Sequence, residues 1–486
     1  MSEGGLQRKV FSGLIWKFGE RIGAQAVSFL VSIILARLLL PSDYGVIALI
    51  TIFIDIANVF VSSGFGAALV QKKDADEVDF SSVFYFSIVM SWVLYIIVFL
   101  GAPAVAGFYD KEILTPVLRV MALKLPLAGV NSVQHAYVQK KMLFKRFFFS
   151  TLIGTVGSAV VGIVMAYTGF GAWALVAQYL FNSTMDTVVL WFTVRWRPVW
   201  RFSLGRMKYL FGFGWKMLAS ELIHTSYKQI RSLIIGKVYT EKDLAFYNQG
   251  GKLPSLIVTN INSSVSSVLF PAMTLKQDDT GKLKEMVRLS IRVSSYIMWP
   301  LMIGLLVISE PIVRLMFTEK WLPCVPYMQI ACIQFALEPV QTANVQAVKA
   351  MGKGRTYLIM EIVKKLFGIV MIVAVMYQGV MAIAVTAMFV TFFAALVNST
   401  PNRKYLGYTY REQLVDLIPS ILLAAAMGIC VYGVGRLPVP DLVSIVLQVV
   451  SGAASYIIIS LAFRVSQFRY IVDILKNFIK VIRNRR

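Results

Sequence analysis

Apolar residues fall in long blocks separated by short polar connections from one end of the chain to the other. Fourteen such segments can be drawn, near residues 12–38, 44–70, 80–106, 114–137, 148–167, 171–194, 211–235, 245–274, 290–316, 322–348, 356–376, 380–400, 413–434 and 441–463. Blocks of roughly 20 apolar residues match the hydrocarbon thickness of a bilayer. Few segments alternate or are rich in proline, so the spans are read as helices rather than barrel strands. The pattern predicts an all-α integral membrane protein with fourteen transmembrane helices. The segment from Ser12 to Leu38 is expected to be the first span and not a cleavable signal. It is long, carries Lys17, Glu20 and Arg21, and lacks a small-residue cleavage site.

Charge then orients the pattern. The chain is 57% hydrophobic and only 15% charged, against about 25% charge in a soluble domain. Counting Arg37, at the outer edge of the first segment, with its loop, 36 of the 48 Lys and Arg residues sit in connections, and 30 of these fall on the side that holds both termini. Basic residues in short loops stay cytoplasmic, so both ends are expected on the cytoplasmic side of the membrane. The net charge of +23 is dispersed over seven cytoplasmic patches and a tail. That suits topology and anionic lipid contact rather than nucleic acid. Cys324, Cys332 and Cys430 show no CxxC spacing and no histidine partner, and are read as buried packing residues. No metal site and no cofactor is expected.

The chain also repeats. Gly13-Leu-Ile-Trp16-Lys17 recurs as Gly212-Phe-Gly-Trp215-Lys216, and Ser42-Asp43-Tyr44 as Lys242-Asp243-Leu244 after one inserted residue. Lys140, Met142 and Arg146 match Lys349, Met351 and Arg355 at an offset of 209. Span 1 thus falls on span 7 and span 4 on span 10. The expected organisation is two pseudo-symmetric six-helix bundles, 1–210 and 211–402. Residues 403–486 add two helices and a basic amphipathic tail. An even number of spans per unit makes the repeats parallel, a design in which substrate binds near the midplane between halves. Two cytoplasmic pieces read as interfacial: Gln139–Phe149, and the tail from Phe468 to Arg486, whose Phe468, Ile471, Val472, Leu475, Phe478, Ile479 and Ile482 share one helical face.

Twelve cations lie within spans: Lys17, Arg21, Arg119, Lys124, Lys216, Lys228, Arg231, Lys252, Arg292, Arg314, Lys364 and Lys365. A cation at the helix centre costs about 2.5–3.5 kcal/mol on insertion scales, so it usually faces water or a partner. Snorkelling is the simpler account of Arg292, Arg314 and Lys216 taken singly. Arrangement argues otherwise. Lys17, Arg21, Gln25, Ser28 and Ser32 fall within a stripe of about 80°, and Lys216, Ser220, His224, Tyr227 and Arg231 repeat it on span 7, with Lys228 at its border. Two such faces would line a wet cavity. Lys and Arg hold phosphate, so Lys17, Arg21, Lys216, Lys228, Arg231 and Lys252 are the candidate diphosphate contacts. Gln25, Ser28, His224 and Tyr227 are the other polar cavity residues. Gly250-Gly251-Lys252-Leu253-Pro254 is expected to break span 8. Asp55 and Glu221 are candidates for a coupling proton or sodium ion, with neutralisation of nearby lysines an equal reading. Glu361 is expected to pair with Lys364 or Lys365. No enzyme constellation emerges: there are two histidines, His135 and His224, no nucleophile elbow and no HExxH.

The run Ile34-Leu-Ala-Arg37-Leu-Leu-Leu-Pro41-Ser-Asp43-Tyr-Gly45 resembles the opening signature of the bacterial polysaccharide flippases. These are the Wzx-type members of the multidrug/oligosaccharidyl-lipid/polysaccharide exporter superfamily. Leu233-Ile-Ile-Gly236, Tyr247, Leu253-Pro254 and Val268-Leu-Phe-Pro271-Ala resemble the start of the family's second half, and the likeness is closest to exporters of colanic-acid and teichuronic-acid type. The resemblance implies translocation of a polyprenyl-diphosphate-linked oligosaccharide for surface polysaccharide synthesis. It also implies a V-shaped pair of six-helix bundles, and makes a polysaccharide polymerase and glycosyltransferases candidate partners. At Arg231 the chain departs from many relatives, which carry an acidic residue before the Leu-Ile-Ile-Gly run, so their cation-coupling schemes do not transfer. The rival readings are a peptidoglycan-precursor flippase, a drug antiporter on the same fold, and a membrane-bound transferase, which would need a large loop that this pattern lacks.

Overall fold

The computed structural model describes residues 19, 23–62 and 64–483, and every regular element among them is helical. The chain divides into two compact units, one ending at Ala245 and the other beginning at Phe246.

In the first unit, α1 (Gly23–Leu38) meets α2 (Pro41–Ser62) at a bend. Pro41 stands at the first helical position, where its missing N–H costs nothing. The Asp43 carboxylate accepts from the Leu40 N–H at 2.9 Å. After Gly64, whose φ of 94° only glycine holds cheaply, comes the short α3 (Phe65–Gln71). Span 2 is therefore two pieces, not one. Then follow α4 (Glu77–Tyr109), α5 (Leu114–Met121), α6 (Lys124–Lys141), α7 (Phe144–Tyr167), α8 (Ala172–Thr193) and α9 (Leu204–Val238). A Cβ on Gly64 would lie 2.5 Å from the Gly214 carbonyl, so α9 crosses there at backbone distance. Asp76 caps α4 and shares a capping box with Asp79. Between α8 and α9 the backbone is extended rather than helical, and buried serines of α4 hold it. Ser81 Oγ accepts from Val199 N at 2.9 Å, and Ser82 Oγ from Ser203 N at 3.0 Å. Trp196 from this connection is buried in a cluster with Phe80, Phe84 and Val138.

The helix α10 (Glu241–Thr274) leads into the second unit. There Asp243 accepts from Thr240 N at 3.1 Å, the role that Asp43 plays at α2. The Ser42-Asp43 and Lys242-Asp243 repeat is thus a repeated helix start. α10 is continuous through Pro254, so the expected break in span 8 does not occur. Gly250 serves packing instead: a Cβ there would lie 2.8 Å from the Cys324 carbonyl.

The rest of the unit comprises α11 (Thr280–Val307), α12 (Ser309–Phe317), a 3₁₀ turn (Glu319–Cys324), α13 (Val325–Ala336), α14 (Glu338–Ala350), α15 (Gly354–Val375), α16 (Val380–Leu406), α17 (Tyr410–Val434), α18 (Asp441–Ala462) and α19 (Ser466–Arg483). Spans 4 and 10, matched in sequence, are both broken into two shorter helices, α5–α6 and α13–α14.

Eight helices among the described residues are individually long and apolar enough to cross a membrane. Their exposed faces carry rows of large apolar side chains, such as Val89, Trp92, Val93, Ile96 and Leu100 on α4. Such rows suit lipid contact, and the chain is a multi-pass membrane protein. Three expectations change. Gln139–Phe149 is no separate interfacial piece, because α6 runs to Lys141, Met142 turns in the left-handed region, and α7 starts at Phe144. Cys324 and Cys332 are buried, but Cys430 is exposed on α17. Arg292 and Arg314 do not simply snorkel: each is ion-paired, Arg292 with Asp416 and Arg314 with Glu310 at 2.6 Å. The tail does form a helix, α19, and its Phe468 and Ile471 pack against a cluster containing Tyr296, Leu423 and Tyr456.

Candidate functional site

Two groups of polar side chains stand inside the first unit. The first lies along α9. Lys216, Glu221, His224 and Lys228 are exposed, while Tyr227 and Arg231 are half-buried. Glu221 accepts from Thr225 Oγ1 at 3.3 Å and lies 3.9 Å from His224 Nδ1. Lys216, Lys228 and Arg231 form no ion pair among the described residues, in contrast to Lys72, Arg206, Lys284, Arg288 and Arg292, which are all paired. Arg231 goes further: its Nε and one terminal nitrogen are buried and have no hydrogen-bond partner. A buried guanidinium with open donors is costly unless an anion completes it.

Asp55 on α2 is half-buried and accepts from Gln229 Nε2 of α9 at 3.1 Å. Lys124 and Lys228 act on its charge through space, and Lys124 also lies over the Tyr179 ring at 5.7 Å. Among the remaining candidates, Gln25 is half-buried and Ser28 exposed on α1. Lys252 is exposed on α10 in the second unit, again with no ion pair among the described residues. Lys17 and Arg21 lie outside the described residues. Glu361 pairs with Lys364 at 2.6 Å as expected.

The second group is a polar cavity of about 370 Å³ bounded by α2, α6 and α8. Its centre is Asp186. His135 Nε2 lies 2.9 Å from Asp186 Oδ2, Asn131 Nδ2 donates to the same oxygen, and Ser150 donates to Oδ1. Sequence reading passed over this group, naming His135 only as one of two histidines outside any enzyme constellation. The available signal was spacing: Lys124, Ala128, Asn131, His135 and Gln139 follow one face of α6, and Asn182 and Asp186 one face of α8.

With this geometry in place, comparison with known proteins is informative. Residues 34–326 match the family described as polysaccharide biosynthesis protein. The chain belongs to that family. Among its curated relatives, the teichuronic acid biosynthesis protein TuaB of Bacillus subtilis (strain 168) is 27% identical over 78% of this chain and 79% of its own length. The lipopolysaccharide biosynthesis protein WzxC of Escherichia coli (strain K12) is 23% identical over 88% and 89%. A solved structure of the lipid II flippase MurJ in an inward closed conformation matches 93% of this chain and 99% of its own. Its TM-score is 0.74 at 13% identity. An inward-facing multidrug resistance MATE family transporter of the MOP superfamily matches 79% and 94%, with a TM-score of 0.63 at 16% identity. These likenesses establish the transporter fold of this polysaccharide biosynthesis protein. The matched region runs from the end of α1 into α13 and so takes in the whole of α9 and the polar cavity.

Proposed function

We propose that this protein flips a polyprenyl-diphosphate-linked oligosaccharide across the bacterial cytoplasmic membrane for surface polysaccharide synthesis. The observation that carries the reading is Arg231, two of whose guanidinium nitrogens are buried without a partner on a helix with several cations that form no ion pair among the described residues. Arginine presents a planar fork that suits phosphate oxygens, and lysines add point charges. Lys216, Lys228, Arg231 and Lys252, with Lys17 and Arg21 from the first span, are assigned to the diphosphate. Gln25, Ser28, His224 and Tyr227 are assigned to the polar walls. Family membership and the relatives' names in teichuronic acid and lipopolysaccharide biosynthesis support the same cargo class.

In this mechanism two six-helix bundles, 1–210 and 211–402, alternate access to the head group while the polyprenyl chain stays in lipid. Residues 403–486 add the last two of fourteen spans and a tail helix on anionic lipid, with both termini cytoplasmic. No covalent bond changes. Asp55, beside Lys124 and Lys228, is read as their counter-charge. Glu221 is the remaining candidate for a coupling proton or sodium ion. A polymerase and glycosyltransferases are the expected partners.

Complementation of strains lacking defined polysaccharide flippases tests this, with Arg21→Ala and Arg231→Ala beside the parent. Full export by both variants refutes the diphosphate assignment. The fold likeness to a lipid II flippase favours one second reading, transport of the peptidoglycan precursor. Rescue of a strain depleted of its lipid II flippase, without rescue of any polysaccharide flippase mutant, would establish that instead.

A further inference from the structure

The polar cavity of the first unit carries an inference that rests on the flippase reading and deepens it. Its lining is dominated by amides and hydroxyls rather than charges. Asn58 comes from α2, Asn131 and Ser132 from α6, and Asn182, Ser183 and Thr187 from α8. Among the described residues lining it only Lys124, His135 and Asp186 are ionisable, and the last two are engaged with each other. Side-chain amides each offer donors and acceptors in fixed directions, which suits the mixed donor and acceptor edges of vicinal hydroxyls. Asn131 is only 6% exposed, yet its Oδ1 has no hydrogen-bond partner, and the buried Oδ1 of Asn58 has none either. The polar face of α6 runs from Lys124 to Gln139, roughly 22 Å at 1.5 Å per residue. It is thus a trough along most of a helix rather than a point.

A polar group of the second unit is sealed by its own side chains. Asn344, on which His135 falls at the repeat's offset of 209, donates to Ser399 Oγ of α16 at 3.4 Å. There Gln413 of α17 occupies the gap: its Oε1 accepts from Asn344 Nδ2 at 3.0 Å and from Ser399 Oγ at 2.8 Å. Asn402 completes a network in which all four residues are buried. In the first unit the side-chain oxygens of Asn58 and Asn131 meet no such partner among the described residues.

We infer that the trough between α2, α6 and α8 binds sugar rings of the head group through their hydroxyls, separately from the cations that hold the diphosphate. Its volume lies within the roughly 300–1,000 Å³ of small-molecule sites. The trough gives the flippase a means of distinguishing a glycosylated lipid from a bare one.

Native mass spectrometry of the purified protein in nanodiscs tests this with two probes. One is the sugar-lipid pool extracted from a strain deleted for this gene; the other is undecaprenyl diphosphate. The parent should retain the glycosylated lipid about tenfold better than the bare one, the factor expected for a hydrogen bond or two. Asn58→Ala and Asn182→Ala should bring that ratio close to one, and Ser183→Ala, which barely alters volume, should lower it in part. Arg231→Ala should weaken retention of both lipids. An unchanged ratio in all three trough variants, or no preference in the parent, overturns the trough while leaving the diphosphate assignment standing. Retention of neither lipid by the parent overturns both.

Discussion

Asp416→Ala is the substitution whose cost the structure defines best. Asp416 sits near the start of α17 with its side chain fully buried. It accepts from Arg288 Nε at 2.8 Å and Nη2 at 3.1 Å, from Arg292 Nε at 2.7 Å and from the Tyr408 hydroxyl at 2.7 Å. Removing one partner of a buried ion pair typically costs about 3–5 kcal/mol, because the other charge stays behind. Here the arginine side chains are 32% and 37% exposed, so they can turn to water and the figure must come down. Tyr408, wholly buried, cannot escape, and an orphaned hydroxyl costs about 1–3 kcal/mol. The balance is about 3 kcal/mol, which in a unit of this size lowers Tm by roughly 6–12 °C. Tryptophan fluorescence during heating in one detergent measures it. A variant combining Asp416→Leu, Arg288→Met, Arg292→Met and Tyr408→Phe should lose less than Asp416→Ala, since nothing buried is left unpaired. A shift below about 2 °C for Asp416→Ala, small even against 1 kcal/mol, would refute the reasoning. So would a combined variant less stable than the single one.

Three further outcomes are expected. Arg231→Ala should cut export in a complementation assay by about one to two orders of magnitude, and Arg231→Lys should restore part of it, since lysine keeps the charge but loses the fork. Asp76, at the head of α4, has its carboxyl lowered to about 2 by hydrogen bonding from Arg206. A depressed folded-state value means its stabilisation is present above the ordinary value of 3.8 and fades as pH falls toward 2. The Tm gap between the parent and Asp76→Asn should therefore be constant above pH 5 and close below pH 4, and a pH-independent gap would contradict the assignment. Gly64→Ala should destabilise by about 1–3 kcal/mol from backbone strain alone, with a further penalty from the Gly214 carbonyl; an unaltered thermal transition would show that α9 can move aside.

The helical class, the membrane environment and the internal repeat were legible along the chain because each depends on local pattern: block length, hydropathy and residue spacing. So were the cations of α9, whose register follows from helical periodicity alone. Arg231 could be named from spacing, but not that its nitrogens lack partners, since that depends on what α2 and α4 bring near it. Gly250 and Pro254 looked like a break because glycine and proline weaken isolated helices. Packing against the start of α13 keeps α10 continuous. The converse happened in spans 4 and 10, which read as unbroken apolar runs yet divide at Ala122–Leu123 and at Leu337, just ahead of Pro126 and Pro339. The cavity around Asp186 lay furthest from sequence reach. Its walls come from three helices spread over more than a hundred residues, and no one-dimensional pattern records that Asn58, Asn131 and Asn182 line one cavity. Nor does it record that Gln413 seals the polar group around Asn344 and Ser399 in the other unit. The chain's own chemistry determined which helices form and which faces are polar. Only the tertiary packing decided which of those faces stay open and which are sealed, because closure depends on a neighbour's side chain arriving from elsewhere in the chain.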